Sequence, residues 1–543
     1  MKCVSLRQKE QQNDRTGVVL IIVLVVVMMV SFAGFGFLGA MSTEYEATVL
    51  SGNLLQAHAT LASAESQVTW LVGLPQLRRE QLGSVAQNPE LFLGRLVVPL
   101  SETGGLSQAS TQLLSTAAGP ETLGSWRFSA LNSVRSADGA TTIRFGLRNE
   151  SSRLHLGRVL QWEQASPGAG REALLQLPGM TLVIADSLLD WMDGDETVRE
   201  FGAESEYYSS LPLPYRCANS LPSDLQELLF VRGVTPAVLY GSRNAGERLP
   251  ADAAALPEEQ RAADGSAVLQ QGGSAAELSM SSDLLEQGSG NAVDVRGLVE
   301  FLTLWSAEGN LRRDGQVRIA LNQTNPQQLQ SQLSGFLPEA VIDFLITART
   351  YGLQSAPVAA AADGFFPVTS LAELIDATAN RPVAAGGPIA SPLRSELPDA
   401  GTLFSQLCDA VTTDGLPRTE GRIHLMHADP VVLRAIPGLS AEAAAAIVSG
   451  RDARTAFETD SLLWLVSGGV MTIEDFRKVF PELTTGGDVF QTELIVFREA
   501  GGPMLRRRLV IDAASRPVRR LHWQDTTDQP LPCRREQLMP AAL

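Results

Sequence analysis

The chain has 543 residues, too many for one hydrophobic core and enough for about three domains. Its 43 Lys and Arg stand against 60 Asp and Glu, a formal net charge of -17. That balance excludes a body built on phosphate contacts, which need clustered cations, so no nucleic-acid partner is expected.

Residues 1–17 are polar and carry Lys2, Arg7, Lys9 and Arg15. Val18 to Met41 then runs 24 residues without a charged side chain. As a helix this covers about 36 Å, enough for the hydrocarbon core of a bilayer. A secretory signal would show an apolar core of only about 7–15 residues before a small-residue cleavage site. The basic flank precedes the span and Glu44 and Glu46 follow it, which puts the N-terminus in the cytoplasm. The junction Arg15-Thr16-Gly17-Val18-Val19-Leu20-Ile21 resembles a type IV prepilin leader, which is cut after a glycine by a cytoplasmic-side peptidase. The resemblance makes Gly17 and Val18 the cleavage pair. It leaves Ile22 at the fifth mature position, where most such proteins have glutamate.

From Tyr45 to Leu74 the apolar residues Val49, Leu54, Leu55, Leu61, Val68 and Leu71 keep helical spacing, and Gly73 and Pro75 end the run. Strands are expected at Trp126–Ala130 and Ala140–Arg148, with a turn at Asp138-Gly139. Three more are expected at Phe490–Arg498, Met504–Ile511 and Val518–Trp523. The two strand groups read as one head sheet receiving a large helical insertion.

The insertion contains a repeat. Arg318-Ile319-Ala320-Leu321, Asn325-Pro326 and Leu329 match Arg422-Ile423-His424-Leu425, Asp429-Pro430 and Leu433 at equal spacing. Gly335 to Ala340 matches Gly438 to Ala443, and Phe366, Ser370-Leu371 and Leu374 match Phe457, Ser461-Leu462 and Leu465. Arg153-Leu154-His155-Leu156 and Gly233-Val234-Thr235-Pro236 echo the first two blocks. Asn325 and Asp429 suit N-caps followed by Pro, Ser440 suits the cap of a second helix, and Gly233, Gly335 and Gly438 suit the turns between paired helices. Each unit reads as a helix-hairpin-helix of the SAM-like kind. Such units often grip DNA, but Arg422 to Asp452 balances its charges and shows no basic stripe.

Among these units, within the first of them, lies an acidic block. Leu188-Leu189-Asp190-Trp191-Met192-Asp193 leads to Gly202-Ala203-Glu204 and Tyr207-Tyr208. Pro214-Tyr215-Arg216-Cys217-Ala218-Asn219 and Leu225 to Gly233 follow. This combination resembles the K-type minor pseudopilins of type II secretion, a family that normally lacks the fifth-position glutamate. A carboxylate in an apolar helix needs a partner, and for a subunit at the tip of a filament no subunit lies ahead whose N-terminal amine could supply one. The resemblance implies a filament-tip subunit. Its partners would be the I-, J- and H-type minor pseudopilins, the major pseudopilin, the prepilin peptidase and the inner membrane. Eight carboxylates between Asp186 and Glu206 face one Arg199, and hard oxygen ligands favour calcium. Asp190, Asp193, Asp195, Glu196 and Glu204 are the candidate ligands, and the resemblance also implies calcium.

Cys217, Cys408 and Cys533 allow at most one disulfide once Cys3 leaves with the leader, and three dispersed thiols are expected. His424 and His427 lack a metalloprotease pattern, and no nucleophile grouping is visible, so no enzyme is expected. The expected fold is α+β. An N-terminal transmembrane helix extends into a pilin-like head with an antiparallel sheet, interrupted by a large helical insertion of helix-hairpin-helix units. The expected segments are leader 1–17, membrane helix 18–41, its periplasmic extension 42–75 and pilin-like strands 76–160. A first helical unit follows at 161–245, then a linker 246–290, a second unit 291–379, a linker 380–402, a third unit 403–485 and closing strands 486–543. Open alternatives are a minor pilin of a type IV pilus or DNA-uptake filament, and a membrane-anchored scaffold or DNA-binding protein built of these units.

Overall fold

One uninterrupted helix, Thr16–Gly73, begins the described part of the computed structural model. The described residues are 16–96, 126–137, 140–241, 296–322, 324–354, 359–397, 399–452, 454, 461–499 and 501–539. The leader up to Arg15, the Asp138-Gly139 turn, the 246–290 linker and Phe457 lie outside them. Among the described residues this is the one helix long and apolar enough to cross a membrane. The side chains from Val19 to Gly52 are all exposed, Ile22 at 56%.

The chain divides into two compact units: Met1–Ser63 with Leu96–Arg127 and Val496–Leu505, and Ala64–Arg95 with Phe128–Ile495 and Arg506–Leu543. In the first, Trp126 Nε1 donates to Gln56 Oε1 at 2.8 Å and Arg498 donates to Asn53 Oδ1 at 3.2 Å. In the second, the last turns of the helix bury Ala64, Val68, Leu71 and Val72. Glu65 there pairs with Arg507 and Arg520, and Arg516 donates to the Gly73 carbonyl at 2.7 Å. That bond satisfies a terminal carbonyl that the helix itself leaves open.

A seven-stranded sheet has the order Arg95–Leu96, Trp126–Arg135, Val489–Arg498, Leu505–Asp512, Arg519–Asp525. Thr141–Phe145 pairs antiparallel with Trp126–Arg135, and Arg148–Asn149 pairs antiparallel with Val489–Arg498. The strand expected over Ala140–Arg148 is therefore two strands. Leu147 donates its N–H to the Val85 carbonyl at 2.7 Å and buries its side chain, which breaks the run. The three C-terminal strands lie within two residues of the expected ranges.

The insertion is not purely helical, because each repeat opens on a two-residue strand. Leu154–His155 pairs parallel with Leu302–Thr303, Ile319–Ala320 with Val411–Thr412, and Ile423–His424 with Leu483–Thr484. These pairs correct the expected boundaries. The first unit begins at 154 with a helix from Leu156, inside the segment assigned to strands. The second closes at 412, so 380–402 lies within it and is no linker. There Thr378–Ala379 pairs with Ile389–Ala390, Ser391 and Leu393 are buried, and Arg381 Nε donates to the Gly387 carbonyl at 2.9 Å. One continuous apolar core from Leu154 to Leu483 is shared by all three units.

Within the units the local chemistry follows the sequence. Asn325 Oδ1 caps Pro326–Leu333 and Asp429 Oδ1 caps Pro430–Arg434, each accepting a backbone N–H at 3.0 Å. Ser440 Oγ accepts from Ala443 N at 3.1 Å, at the start of Ala441–Asp452. Gly335 at φ +97° precedes Glu339–Tyr351 and Gly438 at φ +82° precedes Ala441–Asp452, a left-handed conformation that side chains resist. The buried Arg349 donates to the Phe366 and Asn322 carbonyls at 2.7 and 2.9 Å, and Arg451 to those of Leu425 and Ala428. In both units an arginine of the second helix thus reaches the strand-to-helix connection, at the Asn322 carbonyl in one and at those of Leu425 and Ala428 in the other.

His424 is buried on its opening strand with its ring stacked 4.2 Å from that of His427. Burial first, and then His427, pushes its pKa well below the usual histidine value; Glu308 pulls the other way and Arg451 adds to the depression. Burial, Arg144 and Arg451 also lower His427. The folded protein therefore holds both rings neutral where the unfolded chain would charge them. The resulting stability is present above about pH 6.5 and is lost as pH falls toward the folded values. A His424→Gln variant is expected to show a shallower fall in melting temperature from neutral to mildly acid pH than the parent. Parallel slopes would refute this role.

Candidate metal centre

The centre is built where the helix Leu182–Met192 ends. Thr181 Oγ1 caps that helix, and its length buries Asp186, Asp190, Trp191 and Met192. Carboxylates this deep require partners. Arg171 makes two 2.6 Å bonds to Asp186 through Nε and Nη2, and Phe201 N donates to the same carboxylate at 3.1 Å. Arg199 Nη1 lies 2.6 Å from both Asp190 Oδ1 and Asp193 Oδ2, and Arg199 N donates to Asp190 Oδ2. Burial raises the Asp190 pKa while these bonds oppose the rise.

The same packing explains the glycine of the Gly202-Ala203-Glu204 run. A Cβ at Gly202 would sit 1.8 Å from Asp190 Oδ2, so only glycine lets the returning chain pass the buried carboxylate. Glu204 then emerges beside Asp193. Carboxylate oxygens of Asp193, Asp195 and Glu204 all lie within 4.8 Å of one another. Two oxygens bound to one calcium ion are at most about 5 Å apart, so one ion can reach all three.

The donor set has unmet acceptors. Asp193 Oδ1, both Glu204 oxygens and Asn219 Oδ1 are buried without a hydrogen-bond partner among the described residues. Burial first, then the charges of Asp190 and Asp193, pushes Glu204 up to about 7, with a weak opposing effect from the Cys217 thiol. Asp195 is held below its usual value by the Thr197 N–H. Burial pushes the Cys217 thiol itself up to about 12, so it offers no thiolate at neutral pH. What remains is a cluster of hard oxygen donors, the ligand type of calcium and magnesium.

Of the five expected ligands, three converge and two do not. Asp190 is committed to Arg199. Glu196 Oε1 accepts from Ser205 Oγ and Asn219 Nδ2, each at 3.0 Å, and so ties the loop together. The residue missed from sequence is Asn219, which adopts φ +46° and donates to the Asp195 carbonyl at 2.9 Å. Its place in the Pro-Tyr-x-x-x-Asn run was the available signal. Of the other expected positions, Gly17 and Val18 are in the first turn of the long helix, and Gly233 turns at φ +82° before the helix Pro236–Tyr240. Cys217, Cys408 and Cys533 are free thiols.

A family model described as Type II secretion system (T2SS), protein K matches residues 159–241, the stretch that contains this whole cluster. A relative from Pectobacterium carotovorum subsp. carotovorum, named type II secretion system protein K, is 41% identical over 51 residues. That alignment spans 9% of this chain and 16% of the relative. The chain also resembles, at TM-score 0.36 and 11% identity, a chain in the crystal structure of the GspK-GspI-GspJ complex of the enterotoxigenic Escherichia coli Type 2 Secretion System. The likeness covers 88% of this chain and 98% of that one.

Proposed function

We infer that this chain, whose residues 159–241 match the type II secretion system protein K family, is a member of that family, works as a minor pseudopilin and caps the growing end of a pseudopilus. The observation that carries the reading is a conjunction within one chain. A charge-free span, 18–41, follows a glycine junction in the first part of the long helix Thr16–Gly73, and the family segment at 159–241 follows in the body. The span 18–41 anchors the precursor in the inner membrane with its N-terminus in the cytoplasm and its head in the periplasm. After cleavage between Gly17 and Val18 the helix joins the filament bundle. There the I-, J- and H-type minor pseudopilins and the major pseudopilin are its partners. Ile22 fits a subunit with no neighbour ahead of it, since no amine would be present to pair with a carboxylate there. The family segment favours this reading over a type IV pilus or DNA-uptake filament.

Calcium is the ion proposed for Asp193, Asp195 and Glu204, with Asn219 completing the set. Bound there, it would neutralise the repulsion among the carboxylates and hold the 193–219 loop against the Leu182–Met192 helix. The repeat units serve as scaffold, with no catalysis and no nucleic-acid binding.

Processing tests the reading. Gly17→Val is expected to leave full-length precursor in the inner membrane, while the parent loses its leader only when the prepilin peptidase is present. Mass spectrometry of the N-terminus reads the outcome. Normal processing of the variant would remove the prepilin assignment. Ile22→Glu is expected to give no gain in filament incorporation; a marked gain would place the subunit in the shaft.

A further inference from the structure

An aromatic ladder leads from the core beneath the acidic loop to the surface. Trp191 and Tyr208 meet edge to face at 5.1 Å, Tyr208 stacks on Tyr215 at 5.2 Å, and Tyr215 meets Phe230 at 5.8 Å. Tyr215 fixes the last rung, because its hydroxyl donates to the Phe230 carbonyl at 2.7 Å. Beyond this rigid support the side chains are exposed: Phe230 at 56%, Leu229 at 36% and Leu213, two residues before Tyr215, at 83%. Solvent-facing apolar side chains on a backing of buried rings, held by named bonds, resemble the anchor of an interface more than an incidental surface leucine.

We propose that Leu213, Leu229 and Phe230 form a docking surface for a basic, apolar segment of another polypeptide. Charge complementarity selects the occupant. Glu200 and Glu206 are exposed beside Phe201 and Tyr207, and Asp195 and Glu196 are exposed earlier in the same loop. Of the nearby cations, Arg199 is committed to Asp190 and Asp193, Arg232 lies over the Tyr207 ring at 4.8 Å and donates to the Gly202 carbonyl, and the exposed Arg216 beside Tyr215 stands against the four exposed carboxylates. The apolar side chains thus sit in an acidic field that attracts lysine and arginine and repels acidic segments and anionic lipid surfaces. Leu213, Leu229 and Phe230 are not contacted by the bound cation, and of the four exposed carboxylates only Asp195 is a ligand, so Glu196, Glu200 and Glu206 keep the field acidic whether or not calcium is bound.

The test uses the full-length protein in detergent and two labelled synthetic peptides, one alternating Lys and Leu, the other Glu and Leu, followed by fluorescence anisotropy. The Lys-Leu peptide is expected to bind and the Glu-Leu peptide to fail. A Phe230→Ser/Leu213→Ser variant leaves the net charge unchanged and is expected to weaken Lys-Leu binding by about tenfold or more. Its melting temperature should stay close to the parent's, because Leu213 is 83% exposed and Phe230, at the end of the ladder, is more than half exposed. Val383→Ser, at an apolar residue 86% exposed elsewhere, is the control and should bind as the parent does. Equal binding by the double variant, equal loss in the Val383 control, or equal binding of the Glu-Leu peptide would each overturn the proposal.

Discussion

Glu308→Ala is expected to cost about 3 kcal/mol of stability, because it removes the shared partner of two half-buried cations. Glu308 is 8% exposed and lies 2.9 Å from Arg318 and 3.2 Å from Arg422, while Thr484 Oγ1 donates to it at 2.7 Å. Burial alone would favour its neutral form, yet the two guanidinium groups outweigh that penalty and hold it at about 2. Arg318 and Arg422 each precede the opening strand of a repeat, and Thr484 ends the closing strand of the third. One carboxylate therefore ties the second unit to the third. Glu150 has the matching place in the first unit, taking Arg153 at 2.8 Å and the Thr303 hydroxyl. Glu308→Gln keeps hydrogen-bond acceptance and should lose less. Thermal melting followed by circular dichroism measures both. A Glu308→Ala protein that melts with the parent would show that the arginines find other acceptors and that the node is not structural.

The features legible in the sequence are those that local chemistry decides. A run of uncharged residues must be a helix in lipid, whatever the rest of the chain does. Asn325 and Asp429 act as caps because their side chains reach their own backbone two residues on. Gly335 and Gly438 turn because only glycine adopts their φ without strain. The closing strands were not legible, although Leu302-Thr303, Val411-Thr412 and Leu483-Thr484 share an apolar-threonine pair. Two residues carry no periodicity, and their partners lie far along the chain. The same limit divided the acidic block. Composition identifies a surplus of carboxylates, but which of them Arg199 neutralises depends on the path from Asp193 back to Gly202. Asp190 therefore pairs with arginine while Asp193 keeps one oxygen free, and Asn219 enters only because a turn at φ +46° aims its amide at the same loop.

Calcium titration of the full-length protein is expected to show one site whose affinity rises about tenfold between roughly pH 6 and pH 8. Glu204 sets the window. Its carboxyl is raised to about 7 by burial and by the charges of Asp190 and Asp193, and only its ionised form is a ligand. Below about 7 a proton competes with the ion, at close to tenfold per unit of pH. Above it the affinity levels off. Asp195 titrates below its usual value and contributes nothing in this range. The stability of the calcium-free protein should run the opposite way. Glu204 has a folded pKa above its unfolded one, so its contribution is fully present below about pH 4.5 and is lost as pH rises through 7. Chelator should therefore lower the melting temperature more at pH 8 than at pH 6, and added calcium should restore it. Glu204→Gln removes the titrating group and should flatten both profiles while weakening binding, and Asp193→Ala/Asp195→Ala should abolish it. Isothermal titration with calcium and, separately, magnesium reads affinity and choice of ion. A pH-independent affinity in the parent, or a Glu204→Gln profile that still rises toward pH 8, would assign the proton to another group and remove Glu204 from the ligand set.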